Sequence, residues 1–266
     1  MFELLLLPPI YRALLTLMFA GSTFPLAGVM VLRLNLMQLR YTLMHGLLLG
    51  GALSLALDLP SLPVYLAVCV LTVLLVLHMS RSGGMNMGIS SSFMMVMAVA
   101  LAAVITQVAD VPSKDTLELL WGSPFTVRWP ELAAFALLSV AIVLFTILDW
   151  RTVNLMFFDR DVAISTGRNV RAHETVMVFL IAFSVAMSMR FVGALLIDAL
   201  LLLPAVIALK RATSVRNLFI TASLAGLGTA VSGFMLSLFF DLPPSSMIAL
   251  ASAILYIVVP KRRVAG

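Results

Sequence analysis

The stretch ELAAFALLSVAIVLFTILD, residues 131–149, decides the fold class. An acid stands at each end, and every residue from Leu132 to Leu148 is uncharged. Wound as a helix at about 1.5 Å per residue, the run spans roughly 28 Å. A bilayer's hydrocarbon core is about 30 Å thick. Nothing in lipid can satisfy an open backbone, so a spanning segment is a helix or a strand of a closed barrel. A barrel strand alternates apolar and polar residues, and this run does not, so the helix is selected. The rest of the chain has the same character. Hydrophobic residues make up 62% and charged residues 11%, against about 45–50% and 25% in a soluble domain. The expected fold is all-α: a single integral membrane domain over residues 1–266, built as a polytopic transmembrane helical bundle.

Working outward from that run, further spans are predicted at 13–32, 36–57, 62–79, 89–109, 173–189, 191–209, 217–240 and 245–259. The count is nine, or eight if two of them merge or one is re-entrant. The basic residues orient the bundle. With the N-terminus outside, the inner segments hold Arg33, Arg40, Arg81, Arg151, Arg160, Arg168, Arg171, Lys210, Arg211, Arg216, Lys261, Arg262 and Arg263. The outer segments hold only Arg12, Lys114, Arg128 and Arg190. The positive-inside rule therefore predicts a plasma (inner) membrane protein with a cytoplasmic C-terminus. The net charge of +5 is a topology signal on this reading and implies no nucleic acid. Met1 to Pro9 lacks a basic n-region, so no removable signal peptide is expected. One cysteine, Cys69, excludes a disulfide framework. The outer loop Asp110 to Pro130 carries Trp121 and Trp129, which suit the membrane interface. In the inner loop, residues 154–171 mix Leu155, Met156, Phe157 and Phe158 with Asp159, Arg160, Asp161, Arg168 and Arg171. The mix predicts one short amphipathic helix on the cytoplasmic surface, ended by Gly167.

Ionisable groups inside a span cost about 2.5–3.5 kcal/mol on insertion scales and mark function by default. His45 and Asp198 are the two candidates. On the predicted spans, Asp198 lies roughly 10 Å from the outer end of its helix and His45 roughly 13 Å from the inner end of its own. An imidazole and a carboxylate are acceptable ligands for a first-row divalent metal. The structural alternatives are a core histidine bonded to a neighbouring helix and a carboxyl that bridges helices. His78 and His173 fall near inner helix ends and are read as interfacial. The methionines around Met85, Met87, Met94, Met95 and Met97 would suit Cu(I), but Met also fills irregular apolar gaps. Gly50, Gly193 and the small residues near them let helices approach closely. No GxxxxGK[ST] phosphate loop and no catalytic signature occur, so ATP, if it drives transport, is hydrolysed on another subunit. A proton-coupled secondary transporter with Asp198 as the carrier is the competing class.

The run Met189-Arg190-Phe191-Val192-Gly193-Ala194-Leu195-Leu196, continued by Leu200 to Pro204 and Ala205, resembles the permeases of zinc and manganese ABC importers. So do His45 with Gly50, Asp159 to Gly167 with Ala163 in place, Asp241-Leu242-Pro243-Pro244-Ser245, and Trp121-Gly122. The similarity runs from about Gly28 to Lys261. It implies a permease without its own ATPase site and with no permanently bound cofactor, carrying Zn2+ or alternatively Mn2+ or iron. It also implies a second permease copy, cytoplasmic ATPase subunits and an extracytoplasmic metal-binding protein. Asp159, Asp161, Ala163 and Gly167 would belong to the coupling helix that docks on the ATPase, and the metal would pass near His45. Gly50, Gly193 and Pro204 would serve helix packing. The chain departs from the family in having Tyr41 at the position of an aspartate and Asp198 where many members carry a small or hydroxyl residue. The expectation is that Asp198 supplies the carboxylate that Tyr41 does not.

Overall fold

The computed structural model describes residues 7–110 and 123–260. Lys114, Trp121, Gly122, Lys261, Arg262 and Arg263 lie outside the described residues. The membrane helices are α1 (Pro8–Arg33), α2 (Met37–Ala56), α3 (Ser61–Ser82), α4 (Met87–Val108) and α5 (Trp129–Leu148). Two short helices follow, α6 (Trp150–Phe158) and α7 (Arg160–Ser165), then the long α8 (Val170–Val192). The next segment is composite: α9 (Ala194–Ile197), a π-helical turn (Asp198–Leu202) and α10 (Leu203–Leu209). The bundle closes with α11 (Val215–Phe240) and α12 (Pro244–Val258).

Local chemistry sets these boundaries. Asn86 caps α4 by accepting from the Ile89 amide at 2.8 Å, and Ser214 caps α11 through the Asn217 amide at 3.2 Å; both relieve orphan donors of a first turn. At α5 the Glu131 carboxylate reaches back to the Arg128 amide at 2.7 Å, half of a capping box. Proline at the first turns of α1, α5 and α12 costs no hydrogen bond there. Six described helices, α1, α3, α4, α5, α8 and α11, are long and apolar enough to cross a membrane. The α9–α10 segment and α12 are apolar but shorter. Helix α2 is long enough, yet Gln38, Arg40, Tyr41 and His45 make it less apolar than those six.

Helix α1 is the hub. Pro25 cannot donate to the Gly21 carbonyl one turn earlier, and α11 crosses at that spot. A methyl on Gly226 would collide with that same carbonyl and with the Pro25 ring, so only glycine fits. Lower on α1, Gly28 abuts the Leu201 carbonyl of the π turn, and a side chain there would overlap it. Thr23 bonds Ser139 of α5 at 3.1 Å. Helix α12 lies on α11 where Gly233 meets Ile248. On the other side α2 packs between α3 and α4. Gly50 sits against Tyr65, where a Cβ would lie 2.8 Å from Cδ1. Thr42 donates to the Ser91 carbonyl at 2.7 Å. The Cys69 thiol of α3 is buried and donates to the Ala182 carbonyl of α8 at 3.2 Å. The outward faces carry Leu71, Leu74, Val96, Leu101, Leu137 and Leu224, a surface suited to lipid.

Three features differ from the sequence expectation. The predicted span 191–209 is not one regular helix. Gly193, at φ 80°, interrupts the helix after α8 in a conformation that glycine adopts without strain. Five residues later the helix widens, with the Leu203 amide bonding to the Asp198 carbonyl. Pro204 explains the widening, because it cannot bond the Leu200 carbonyl and crowds the preceding turn. The single amphipathic helix expected over 154–171 is two helices, broken at Asp159, whose extended backbone (φ −155°, ψ 123°) and side chain start α7 anew. Arg40, counted among the inner-surface charges, is instead wholly buried in the bundle.

Candidate metal pathway and coupling segment

On α2, Tyr41 and His45 are one turn apart and share a face. That face is the open edge of the helix: Tyr41 is 42% exposed and His45 is half-buried. The Nδ1 of His45 lies 2.8 Å from the Tyr41 carbonyl. A carbonyl only accepts, so Nδ1 carries the proton and donates. In this neutral tautomer the lone pair is on Nε2, the form in which imidazole binds a metal.

Asp198, on the π turn, is tied to α2 through Arg40. π turns concentrate at functional sites, and this one presents a carboxylate. The Oδ1 atom is buried in an ion pair with Nη1 of Arg40. The Asp198 side chain as a whole is nevertheless 40% exposed, and the Arg40 side chain is 0% exposed. The exposure of the carboxylate therefore falls on Oδ2. Nη1 also touches the Met44 sulfur at 3.3 Å, and the Arg40 Cζ lies 4.2 Å from the centre of the Tyr41 ring. Asp198, Arg40, Tyr41 and His45 thus form a chain of contacts. His45 makes no ion pair with a carboxylate among the described residues. No described group of three His, Cys, Asp or Glu side chains could hold a metal ion within this one chain. The sequence did carry a signal for Arg40. It lies inside a predicted span, and an intramembrane arginine needs an acidic partner, which Asp198 is.

Gly50 and Gly193 sit at the close approach and the helix break described above, and Pro204 is buried at the head of α10. His78 is exposed near the end of α3. His173 bonds Asp149 at 3.0 Å and the Asn169 carbonyl at 2.8 Å, tying α8 to the end of α5.

The coupling candidates form a compact unit. Oδ1 of Asp159 accepts from the Asp161 and Val162 amides at 2.8 and 3.2 Å, capping α7. Ala163 is buried against the bundle, and Gly167, at φ 76°, ends the unit. Arg160 pairs with Glu174 of α8 at 2.7 Å, and this bond holds its guanidinium pKa above the ordinary value. Arg33 donates to the Phe157 carbonyl at 3.1 Å, and Phe157 stacks on Phe219 of α11. What faces outward mixes apolar and charged side chains: Phe158 is 85% exposed, with Val162, Ile164 and Asp161 beside it and Arg160 and Arg168 exposed on the same segment.

The chain is similar to known proteins over nearly its whole length. The sequence model of the ABC 3 transport family matches residues 7–262. The chain is 28% identical to the high-affinity zinc uptake system membrane protein ZnuB of Haemophilus influenzae, covering 97% of each. It is 22% identical to the manganese import system permease protein ScaB of Streptococcus gordonii, covering 95% of this chain and 92% of that one. Its fold matches PsaBC from Streptococcus pneumoniae, solved in complex with Fab, at a TM-score of 0.81 and 21% identity over 97% of this chain and 92% of that one.

Proposed function

Because this chain belongs to the ABC 3 transport family and is the permease subunit of a metal importer, we propose that its cargo is zinc and that the ion passes His45 and Asp198 between two copies of the chain. The observation that carries this reading is the open edge of α2. A tyrosine, a histidine and a carboxylate oxygen stand partly exposed within an apolar helical bundle, where such groups must face water or protein. One copy offers an imidazole and one carboxylate oxygen. A symmetric pair offers two of each, enough for the four-coordinate site zinc prefers. Zinc is favoured over manganese because the uncommitted ligand on α2 is a nitrogen, whereas manganese suits oxygen. The energy comes from ATP on cytoplasmic ATPase subunits that dock on α6 and α7, and the ion is delivered by an extracytoplasmic metal-binding protein.

In liposomes carrying the permease, its ATPase and its binding protein, Asp198→Asn is expected to lower ATP-dependent uptake of radioactive zinc. The substitution keeps the shape of the side chain and removes its charge. Uptake at the wild-type rate in an assembled variant would make Asp198 a structural carboxyl. The same reading sets the C-terminus in the cytoplasm, on the inner surplus of Arg and Lys. A reporter that works only outside the cytoplasm, fused after Gly266, is expected to stay silent; activity there would reverse the orientation.

A further inference from the structure

Arg40 is the least economical residue in the bundle. Its side chain is 0% exposed, yet among the described residues only Nη1 has hydrogen-bonding or ionic partners, Asp198 and the Met44 sulfur. Nε and Nη2 are buried with no hydrogen-bond partner among those residues. A buried ion pair is often no more stabilising than well-packed apolar residues of the same volume, and unpaired buried donors add to its cost. Stability alone therefore gives weak reason for an arginine here. Its effect on Asp198 gives a stronger one. The cation takes Oδ1, leaves Oδ2 as the exposed oxygen, and cancels the carboxylate's charge at contact distance. The Tyr41 ring lies against the guanidinium and limits its swing away.

We propose that Arg40 is a specificity-determining residue: by occupying the inner oxygen of Asp198 it denies the passing ion a chelating, fully charged carboxylate, and so biases the pathway toward zinc and against manganese. The inference rests on the reading that the ion passes His45 and Asp198. Zinc is satisfied by few ligands, with imidazole nitrogen among the best and a single carboxylate oxygen acceptable. Manganese belongs with the hard ions that take six oxygens, and it gains most from carboxylates. Pairing with Arg40 reduces what Asp198 gives to manganese more than what the α2 edge gives to zinc. The guanidinium suits the task because it stays charged and has a planar fork.

The experiment is competition by Mn2+ against ATP-dependent zinc uptake in the reconstituted importer. Arg40→Gln is expected to lower the Mn2+ concentration needed for half-inhibition by roughly tenfold, the low end of what an outer-shell partner contributes at a metal site. Adding Asp198→Asn to it should return the ratio to the wild-type value, whatever the residual rate, because the effect acts through the carboxylate. A purely structural tie between α2 and the π turn would change assembly or rate and leave the Mn2+-to-Zn2+ ratio unmoved. Should Arg40→Gln not assemble, Arg40→Met carries the same test, since it removes the cation with a flexible side chain that suits a buried apolar site. An unchanged ratio in an assembled Arg40 variant overturns the inference, as does a raised ratio that persists with Asp198→Asn. Undiminished zinc uptake in His45→Ala would instead overturn the pathway itself, so the two failures are distinguishable.

Discussion

Zinc uptake is expected to fall by at least about 10–100-fold when His45 is replaced by alanine, the range lost when even an outer-shell partner of a metal ligand is removed. The variant should still assemble with its ATPase. His45 is half-buried on the edge of α2, its Nδ1–H is spent on the Tyr41 carbonyl, and its Nε2 is the nitrogen lone pair that this edge offers. Alanine is a good helix former and leaves Gly46 and Gly50 against α3. The loss should therefore appear in transport and not in folding. Zinc transport, protein yield and ATPase retention measured on one preparation check it. A transporting His45→Ala variant would show that the ion takes another route.

The second large effect is expected at the cytoplasmic surface. Asp159→Lys combined with Asp161→Lys should reduce the ATP hydrolysis stimulated by loaded binding protein to the basal level, with the membrane bundle intact. Asp159 is the cap of α7, and losing such a cap costs about 1 kcal/mol, a large share of what holds a six-residue helix. The substitutions also put two cations at a helix N-terminus, where the dipole favours anions. The exposed Phe158, Val162 and Ile164 would then be presented in a disordered setting with reversed charge. Full stimulation in a well-folded double variant would leave α6 and α7 as a lipid-surface element only.

The spans were legible in the sequence because lipid permits few alternatives: a run such as 132–148 without a charge has one stable state. The break at Gly193 was not legible, since the apolar run 191–209 continues through it without a change of character. The pairing of Arg40 with Asp198 was not read. Both residues were visible, and each was assigned by its local surroundings, one to the inner surface and one to the metal path. What joins them is the reach of the long Arg40 side chain from α2 to the π turn, which no local pattern encodes. The π turn itself depends on Pro204 acting on carbonyls in the preceding turn, a backbone effect that leaves no mark in apolar periodicity. The break at Asp159 could have been found. An aspartate followed by helix-forming residues is a start signal, but the surrounding apolar residues invite a continuous helix.

Cys69 is the chain's only cysteine, held at the α3–α8 contact with its thiol turned to the Ala182 carbonyl. Maleimides and spin labels added to the folded permease should therefore find little to react with. A cysteine introduced at an exposed position, such as Tyr41 or Val104, would be the sole reactive thiol without the native cysteine being removed. Symmetry adds a further convenience: one introduced cysteine at Tyr41 gives two labels in a paired assembly, and their separation is a direct ruler across the proposed seam.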